Sequence, residues 1–486
     1  MSQYNIIAQN TENTVVSEYT PLPKRAEAYQ SEAQLEKEFI RLLCEVGYTY
    51  LPIHTEADLV ANLRKQLEKL NNYQFTDGEW ERFFQQNIAN ANEGIKEKTR
   101  RIQDGDTAQA FKRDTGESKN IRLLDKKCIH NNTLQVINQY TVSQAEGAAH
   151  DNRYDVTILV NGLPLVHVEL KRRGVAIREA FNQINRYKRD SFWAGSGLFD
   201  YVQIFVISNG TNTKYYSNTT RLGHIKDFNS SAARKRGKTS NSFEFTSFWA
   251  DAKNRIIPDL MDFTKTFFAK ATILNILTKY CVFTSEELLL VMRPYQIVAT
   301  ERILNRIEIA TNYKRYGTVQ GGGYIFHTTG SGKTLTSFKT AQLVADLPYI
   351  SKVLFVVDRK DLDYQTMKEY DRFEKGAANG NTSTAILTRQ LSDPNAKIII
   401  TTIQKLAIFI KKNANHPLAD KQVVIIFDEC HRSQFGEMHL AITNYFKKYH
   451  LFGFTGTPIF TDNAGNGKIP TLRTTEQAFG EQLHAY

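Results

Sequence analysis

The chain has 486 residues, 41% hydrophobic and 23% charged, the composition of a folded protein of about two to four domains. That excludes a collagen-like, coiled-coil or wholly disordered chain. Lys and Arg number 62 against 51 Asp and Glu, a net charge of +11, which suits a polyanionic partner, most often nucleic acid. No apolar run approaches the ~20 residues of a membrane helix, so no membrane partner is expected. Met1-Ser2-Gln3-Tyr4-Asn5 has no basic region leading into an apolar one, so no signal peptide is expected. The cysteines at 44, 128, 281 and 430 are too scattered for a disulfide framework or a cysteine-rich zinc site. They fit a reducing cytoplasm.

The first twenty-odd residues are polar, carry Pro21 and Pro23, and predict a loose arm. Ser31-Glu32-Ala33-Gln34 reads as a capping box, and Leu35, Phe39, Leu42 and Leu43 follow at helical spacing. Further helices are expected over 58–70 and 77–88. Strand-like runs follow at 133–140, 154–160, 165–170 and 202–208, with a helix over 177–189 between the last two. This mixed α/β block is expected to span 1–255. Within it, residues 230–242 include Arg234-Lys235-Arg236; they read either as a solvated loop or as a phosphate-contacting one. Apolar helical spacing then predicts a helical connection over 256–290. From Arg293 the texture changes to short β-runs followed by helices, at 324–326, 353–357, 397–401, 423–427 and 451–454. Such alternation predicts a parallel α/β sheet covered on both faces, spanning 291–460.

His327-Thr328-Thr329-Gly330-Ser331-Gly332-Lys333-Thr334 follows a predicted strand and opens a predicted helix. It matches the phosphate loop G-x-x-x-x-G-K-[ST], with His327 where the first glycine usually stands. Thr329, Gly330, Ser331 and Gly332 would curl backbone N–H groups around phosphates, helped by the helix dipole. Lys333 would reach the β/γ-phosphates of ATP, and the Thr334 hydroxyl would help hold Mg²⁺. The run 423–427 ends in Asp428-Glu429-Cys430-His431, placing carboxylates at the edge of the sheet where nucleotides bind. Asp428 is expected to hold Mg²⁺ through water, and Glu429 to orient or activate the attacking water. Upstream, Arg293 and Gln296 of Arg293-Pro294-Tyr295-Gln296 are candidates for the base; the Gln296 carboxamide offers a donor and an acceptor to an adenine edge. Together with His431 and Thr455-Gly456-Thr457-Pro458, these residues resemble a superfamily 2 helicase or translocase motor.

The other chemical signal is a hairpin. Asp155 lies on one predicted strand, Asn161-Gly162-Leu163-Pro164 is a turn signal, and Glu169-Leu170-Lys171 ends the return strand. A three-residue loop would set Asp155 opposite Glu169, with Lys171 on the same face. A two- or four-residue loop would break that parity unless a bulge restored it. Asp155 and Glu169 would bind Mg²⁺, with the Leu170 carbonyl a further ligand, and Lys171 would position or activate water for phosphodiester hydrolysis. Gln183 and Tyr187 follow on the next predicted helix. D…E-x-K followed by Q-x-x-x-Y resembles the PD-(D/E)xK nuclease of ATP-dependent restriction enzymes, in which Glu32 or Glu36 would match an acidic residue on the early helix.

A nuclease of this kind joined to such a motor resembles the R subunit of type I restriction-modification enzymes, in texture nearest the IC family. The segments Asn152-Arg153-Tyr154-Asp155-Val156, Gly174-Val175-Ala176-Ile177-Arg178-Glu179-Ala180, Val357-Asp358-Arg359-Lys360-Asp361-Leu362 and Asp428-Glu429-Cys430-His431-Arg432-Ser433-Gln434 carry the likeness. The resemblance implies a DNA-cleaving, ATP-dependent translocating subunit. It would act on double-stranded DNA in complex with methyltransferase and specificity subunits. Thr401-Thr402-Ile403-Gln404-Lys405 would contact the DNA backbone. The family's motors have two RecA-like lobes, and the sequence holds room for one. Residues 461–486 are therefore expected to begin a linker, and the chain to be the N-terminal part of a longer protein or a natural truncation. The alternative class is an ATP-binding DNA scaffold or remodeller with an inactive nuclease-like domain.

Overall fold

The computed structural model describes residues 4–5, 15–21, 30–220, 242–357, 373, 384–428, 430, 437–460 and 474–486. It divides into two compact units, one comprising 18–293 with the first five residues, the other 294–486 with residues 6–17. The basic run at 230–241 and residues 358–362 lie outside the described residues. No helix among the described residues is long and apolar enough to cross a membrane.

The first unit is built on six strands: β1 (Thr49–Tyr50), β2 (Leu134–Val142), β3 (Asn152–Val160), β4 (Leu163–Leu170), β5 (Ile204–Ser208) and β6 (Thr213–Ser217). They lie side by side in chain order. β2, β3 and β4 form an antiparallel meander. β4 and β5 run parallel, so the chain must cross over between them, and it does so through α3 (Ile177–Asp190). The earlier helices include α1 (Glu32–Glu45) and α2 (Glu56–Asn71). α1 starts where the sequence signals it: Ser31 and Gln34 form a reciprocal capping box, and Leu35, Phe39, Leu42 and Leu43 make its buried face. The expected helix over 77–88 is α-helical over Asp77–Phe83 and continues as a π-helix over Phe84–Ile88.

Three boundaries differ from expectation. Residues 256–290 are not a free-standing connection. They fold as helices Leu260–Thr266 and Lys270–Thr278 and a hairpin of Cys281–Phe283 with Leu289–Val291, all within the first unit. Phe268 packs on Phe39 of α1 at 5.6 Å, and Tyr48 Oη donates to its carbonyl. The N-terminal arm is not loose throughout, because Tyr19 is buried and donates to Asp262 in the first unit. In the second unit Val15 and Val16 are buried, and the Val15 N–H donates to Glu301.

The third difference lies at the chain's end. The second unit is a wholly parallel sheet of β7 (Gly323–Phe326), β8 (Lys352–Val357), β9 (Ile398–Thr402), β10 (Gln422–Phe427), β11 (Lys448–Thr455) and β12 (Gln482–Ala485), in the order β9-β8-β10-β11-β7-β12. Residues 461–486 thus do not simply begin a linker, since β12 completes this sheet beside β7. The strands are near-continuous apolar runs because helices cover both faces. These helices include α4 (Pro294–Asn312), α5 (Lys333–Ala345) and α6 (Ile403–Lys412). Thr402 caps α6, its hydroxyl accepting from the Lys405 N–H at 3.2 Å.

Candidate functional site

In the first unit the β3–β4 hairpin resolves the parity problem. The turn has two residues, Asn161 and Gly162, both at positive φ (52° and 83°), the requirement of the tight hairpin turn that matches strand twist. Val160 therefore pairs with Leu163 and Leu159 with Pro164. Beyond them a bulge shifts the register, so that Ile158 pairs with Val166 and Val156 with Val168. Extended by one residue, this register sets Asp155 across from Glu169. The Asp155 carboxylate also accepts from the Leu170 N–H at 2.8 Å.

Around this point the structure gathers the expected residues. Lys171 Nζ lies 3.2 Å from Glu169 Oε1 and 2.9 Å from the Leu170 carbonyl oxygen. Gln183 on α3 donates to the Tyr187 hydroxyl, which donates to the Arg153 carbonyl at 2.9 Å. The Q-x-x-x-Y pair thus braces the strand that carries Asp155. Burial, then repulsion from Glu169, raises Asp155 to about 7. Burial raises Glu169 to about 7, against the opposing pull of Lys171. Burial and the charge of Glu169 likewise push the Tyr187 phenol up.

His167 is a participant that sequence reasoning missed. It is fully buried, with Nε2 3.5 Å from Glu169 Oε2, and burial lowers it to about 4. Its position two residues before Glu169 was the available signal, since both point to one face. A cleft of about 640 Å³ opens beside Asp155, lined also by Glu32, Glu36, Lys37, Tyr50, Gln139 and Arg153. Glu36 is held by the amides of Asn138 and Gln139, whereas Glu32 accepts from the Arg172 N–H at 3.3 Å and its charge reaches Glu169.

A divalent cation suits this donor set. The half-buried Asp155 and the buried Glu169 are both driven toward protonation, and Glu169 Oε2 is buried with no hydrogen-bond partner among the described residues. No three His, Cys, Asp or Glu side chains among the described residues form a metal cage. Asp155, Glu169 and the Leu170 carbonyl would leave other positions to water and phosphate, as Mg²⁺ prefers.

In the second unit the phosphate loop joins β7 to α5. Gly330 and Gly332 both adopt positive φ, 83° and 81°, so the curl that the loop needs is present. Lys333 is buried, its Nζ 3.2 Å from where a side chain at Gly456 would begin; Thr334 is half-buried and Thr329 exposed. Ser331 Oγ closes the turn on the Thr328 carbonyl at 2.7 Å. The parallel register sets Phe326 beside Thr455, and Phe427 beside Gly453. The loop, Asp428 and Thr455-Gly456-Thr457 therefore emerge at one edge of the sheet. Gln296 differs from expectation. Its amide nitrogen donates to the carbonyls of Ser331 (3.1 Å) and Gly332 (3.3 Å), so its donor braces the loop rather than meeting a base. Arg293 is exposed just before α4. Glu429 and His431 lie outside the described residues.

Family comparison joins these observations. The family described as type I restriction enzyme R protein N terminus matches residues 29–224, and the SWI2/SNF2 ATPase family matches 295–486. The endonuclease subunit of the type I restriction enzyme EcoprrI of Escherichia coli is 50% identical over 303 residues, 62% of this chain and 90% of that protein. The chain belongs to the family of type I restriction enzyme endonuclease subunits. A family member from Staphylococcus saprophyticus is 40% identical over 466 residues, covering 94% of this chain and 45% of that subunit. Another, from Staphylococcus aureus strain COL, is 40% identical over 469 residues, covering 94% and 46%. This endonuclease-subunit chain thus spans about half the length of the Staphylococcus relatives that it matches.

Proposed function

We propose that this chain carries the DNA-cleaving site and one wall of the ATP site of a type I restriction endonuclease. The first unit is read as a PD-(D/E)xK nuclease domain and the second as the first RecA-like motor lobe. The observation that carries the reading is the bulged hairpin, which brings Asp155, Glu169 and Lys171 together where the cleft opens.

In this reading Asp155, Glu169 and the Leu170 carbonyl hold Mg²⁺, which when bound supplies Lewis acidity to the scissile phosphate. Lys171 holds and orients the attacking water, its ammonium balancing charge on the phosphate. Gln183 and Tyr187 fix the strand at Arg153, keeping Asp155 aimed. Arg153 and Lys37 offer cationic contacts to a DNA backbone at a cleft whose other charged groups are the carboxylates Glu32, Glu36 and Asp155. In the motor lobe the loop 329–332 wraps the ATP phosphates, Lys333 neutralises them, and Thr334 and Asp428 hold the accompanying Mg²⁺. Glu429 orients the attacking water, and His431 contacts the nucleotide. Arg293 lies toward the base.

The partners in this reading are double-stranded DNA and the methyltransferase and specificity subunits, in the cytoplasm. A second motor lobe completes the ATP site with an arginine, a contribution of about 10³–10⁵ in rate where arginine fingers have been measured. The purified chain alone should therefore hydrolyse ATP slowly and fail to displace a triplex from DNA. Robust Lys333-dependent triplex displacement by this chain would contradict the single-lobe reading.

A further inference from the structure

The phosphate loop begins with a histidine where a glycine usually stands, and the structure shows what that side chain meets. His327 is fully buried, and its Nε2 lies 3.1 Å from Nδ1 of His484, itself buried on β12. The rings meet edge to face, with centroids 5.3 Å apart. The backbone is tied at the same place. The Thr328 N–H donates to the Tyr486 carbonyl at 2.9 Å, and the Tyr486 N–H to the Phe326 carbonyl at 2.8 Å. Tyr295 also meets His327, its ring 5.3 Å away and its hydroxyl donating to the Ser331 carbonyl at 2.6 Å. Tyr486 stacks on Tyr295 at 3.6 Å.

We propose that His484 is a positioning residue for nucleotide binding, acting through His327 on the phosphate loop. The proposal rests on reading that loop as the nucleotide site. One hydrogen lies between two imidazoles, so the tautomer of one ring dictates the tautomer of the other. Both outer nitrogens, His327 Nδ1 and His484 Nε2, are buried without a hydrogen-bond partner among the described residues, so the shared contact is the hydrogen bond that orients the two rings. A side chain at 484 that cannot reach His327 Nε2 leaves that atom buried and unpaired. The His327 ring would then turn against Tyr295, and Tyr295 holds the loop at Ser331. β12 is thereby part of the nucleotide site, although it lies beyond every motif that marks the site in sequence.

The test is titration of the purified chain with fluorescent mant-ADP and Mg²⁺, with thermal unfolding of each variant measured without nucleotide. An asparagine amide falls near the Nδ1 position of histidine, and a glutamine amide near Nε2. His484→Asn should keep affinity close to that of the parent, whereas His484→Gln and His484→Leu should weaken it about tenfold, the scale of one lost buried hydrogen bond. The order should reverse at the other ring, where His327→Gln binds and His327→Asn does not. Equal affinities for the Asn and Gln variants, or parent-like affinity in His484→Leu, would overturn the proposal, as would losses that appear only in the unfolding temperature. Lys333→Ala separates the two readings. If it abolishes binding while His484→Leu does not, the site stands and the role of His484 falls. If binding is absent or independent of Lys333, the nucleotide site falls and the proposal with it.

Discussion

Replacing Glu169 with Gln keeps the side chain's shape and removes the buried one of two adjacent negative charges, the other being the half-buried Asp155. Glu169 and Asp155 are both raised to about 7, the first by burial and the second by burial and the charge of Glu169. In the unfolded chain the same groups titrate near 4.3 and 3.9. Between about pH 4 and pH 7 the folded state therefore binds more protons than the unfolded one, and stability falls as pH rises through that window. A rise of two to three units for Glu169 corresponds to roughly 3–4 kcal/mol at most above pH 7. Part of this is offset by Lys171, 3.2 Å away, which loses its partner in the variant. Glu169→Gln should thus stabilise the first unit by about 1–3 kcal/mol at pH 8 and by about nothing at pH 4. Urea unfolding at a series of pH values, followed by Trp fluorescence, measures this. Added Mg²⁺ should stabilise the parent at pH 8 and the variant much less, since a ligand stabilises only the state that binds it. A variant whose stability runs parallel to the parent's at every pH would show that the two carboxylates do not carry this strain.

The hairpin offers a second test. A methyl group at Gly162 would meet the Leu63 backbone at 2.6 Å, at a φ of +83°, so Gly162→Ala should cost about 2–4 kcal/mol in urea unfolding; a loss under 0.5 kcal/mol would mean that the turn is not fixed as described. Tyr187→Phe removes the hydroxyl that holds the Arg153 carbonyl and should lower cleavage by the reassembled enzyme about tenfold with little change in DNA affinity; unchanged cleavage would return Tyr187 to a packing role. In the reassembled enzyme Lys333→Ala should abolish ATP turnover, and with it any cleavage that depends on translocation; hydrolysis at the parental rate would contradict the motor assignment.

Much of this architecture was legible because local signals agree with tertiary demands. The capping box at Ser31 and the loop before Lys333 name their own structures. The unread parts are those that distant neighbours impose. The turn at Asn161 was visible, and so was the need for a bulge if its loop had two residues, but the loop length and the bulge's place between Ile158 and Leu159 were not, because register there follows from packing on the rest of the sheet. β12 escaped notice since Gln482–Ala485 is four residues long with no apolar run, and it is a strand only because β7 needs a neighbour. His484 escaped for a related reason, since a lone histidine has meaning only once its partner is placed, whereas the two-residue spacing of His167 from Glu169 was there to be read. Gln296 was read by its hydrogen-bonding capacity alone, and the loop carbonyls took its donor.

The central claim is that Asp155, Glu169 and Lys171 cut DNA. The most direct measurement is Mg²⁺-dependent cleavage of unmethylated circular DNA by the enzyme reassembled with methyltransferase and specificity subunits, comparing the parent with Glu169→Ala and Lys171→Ala. Both variants should lose cleavage while hydrolysing ATP and binding DNA as the parent does. Unimpaired cleavage by both would remove the proposed site, and an uncut substrate with the parent itself would favour a DNA-binding scaffold with an inactive nuclease fold.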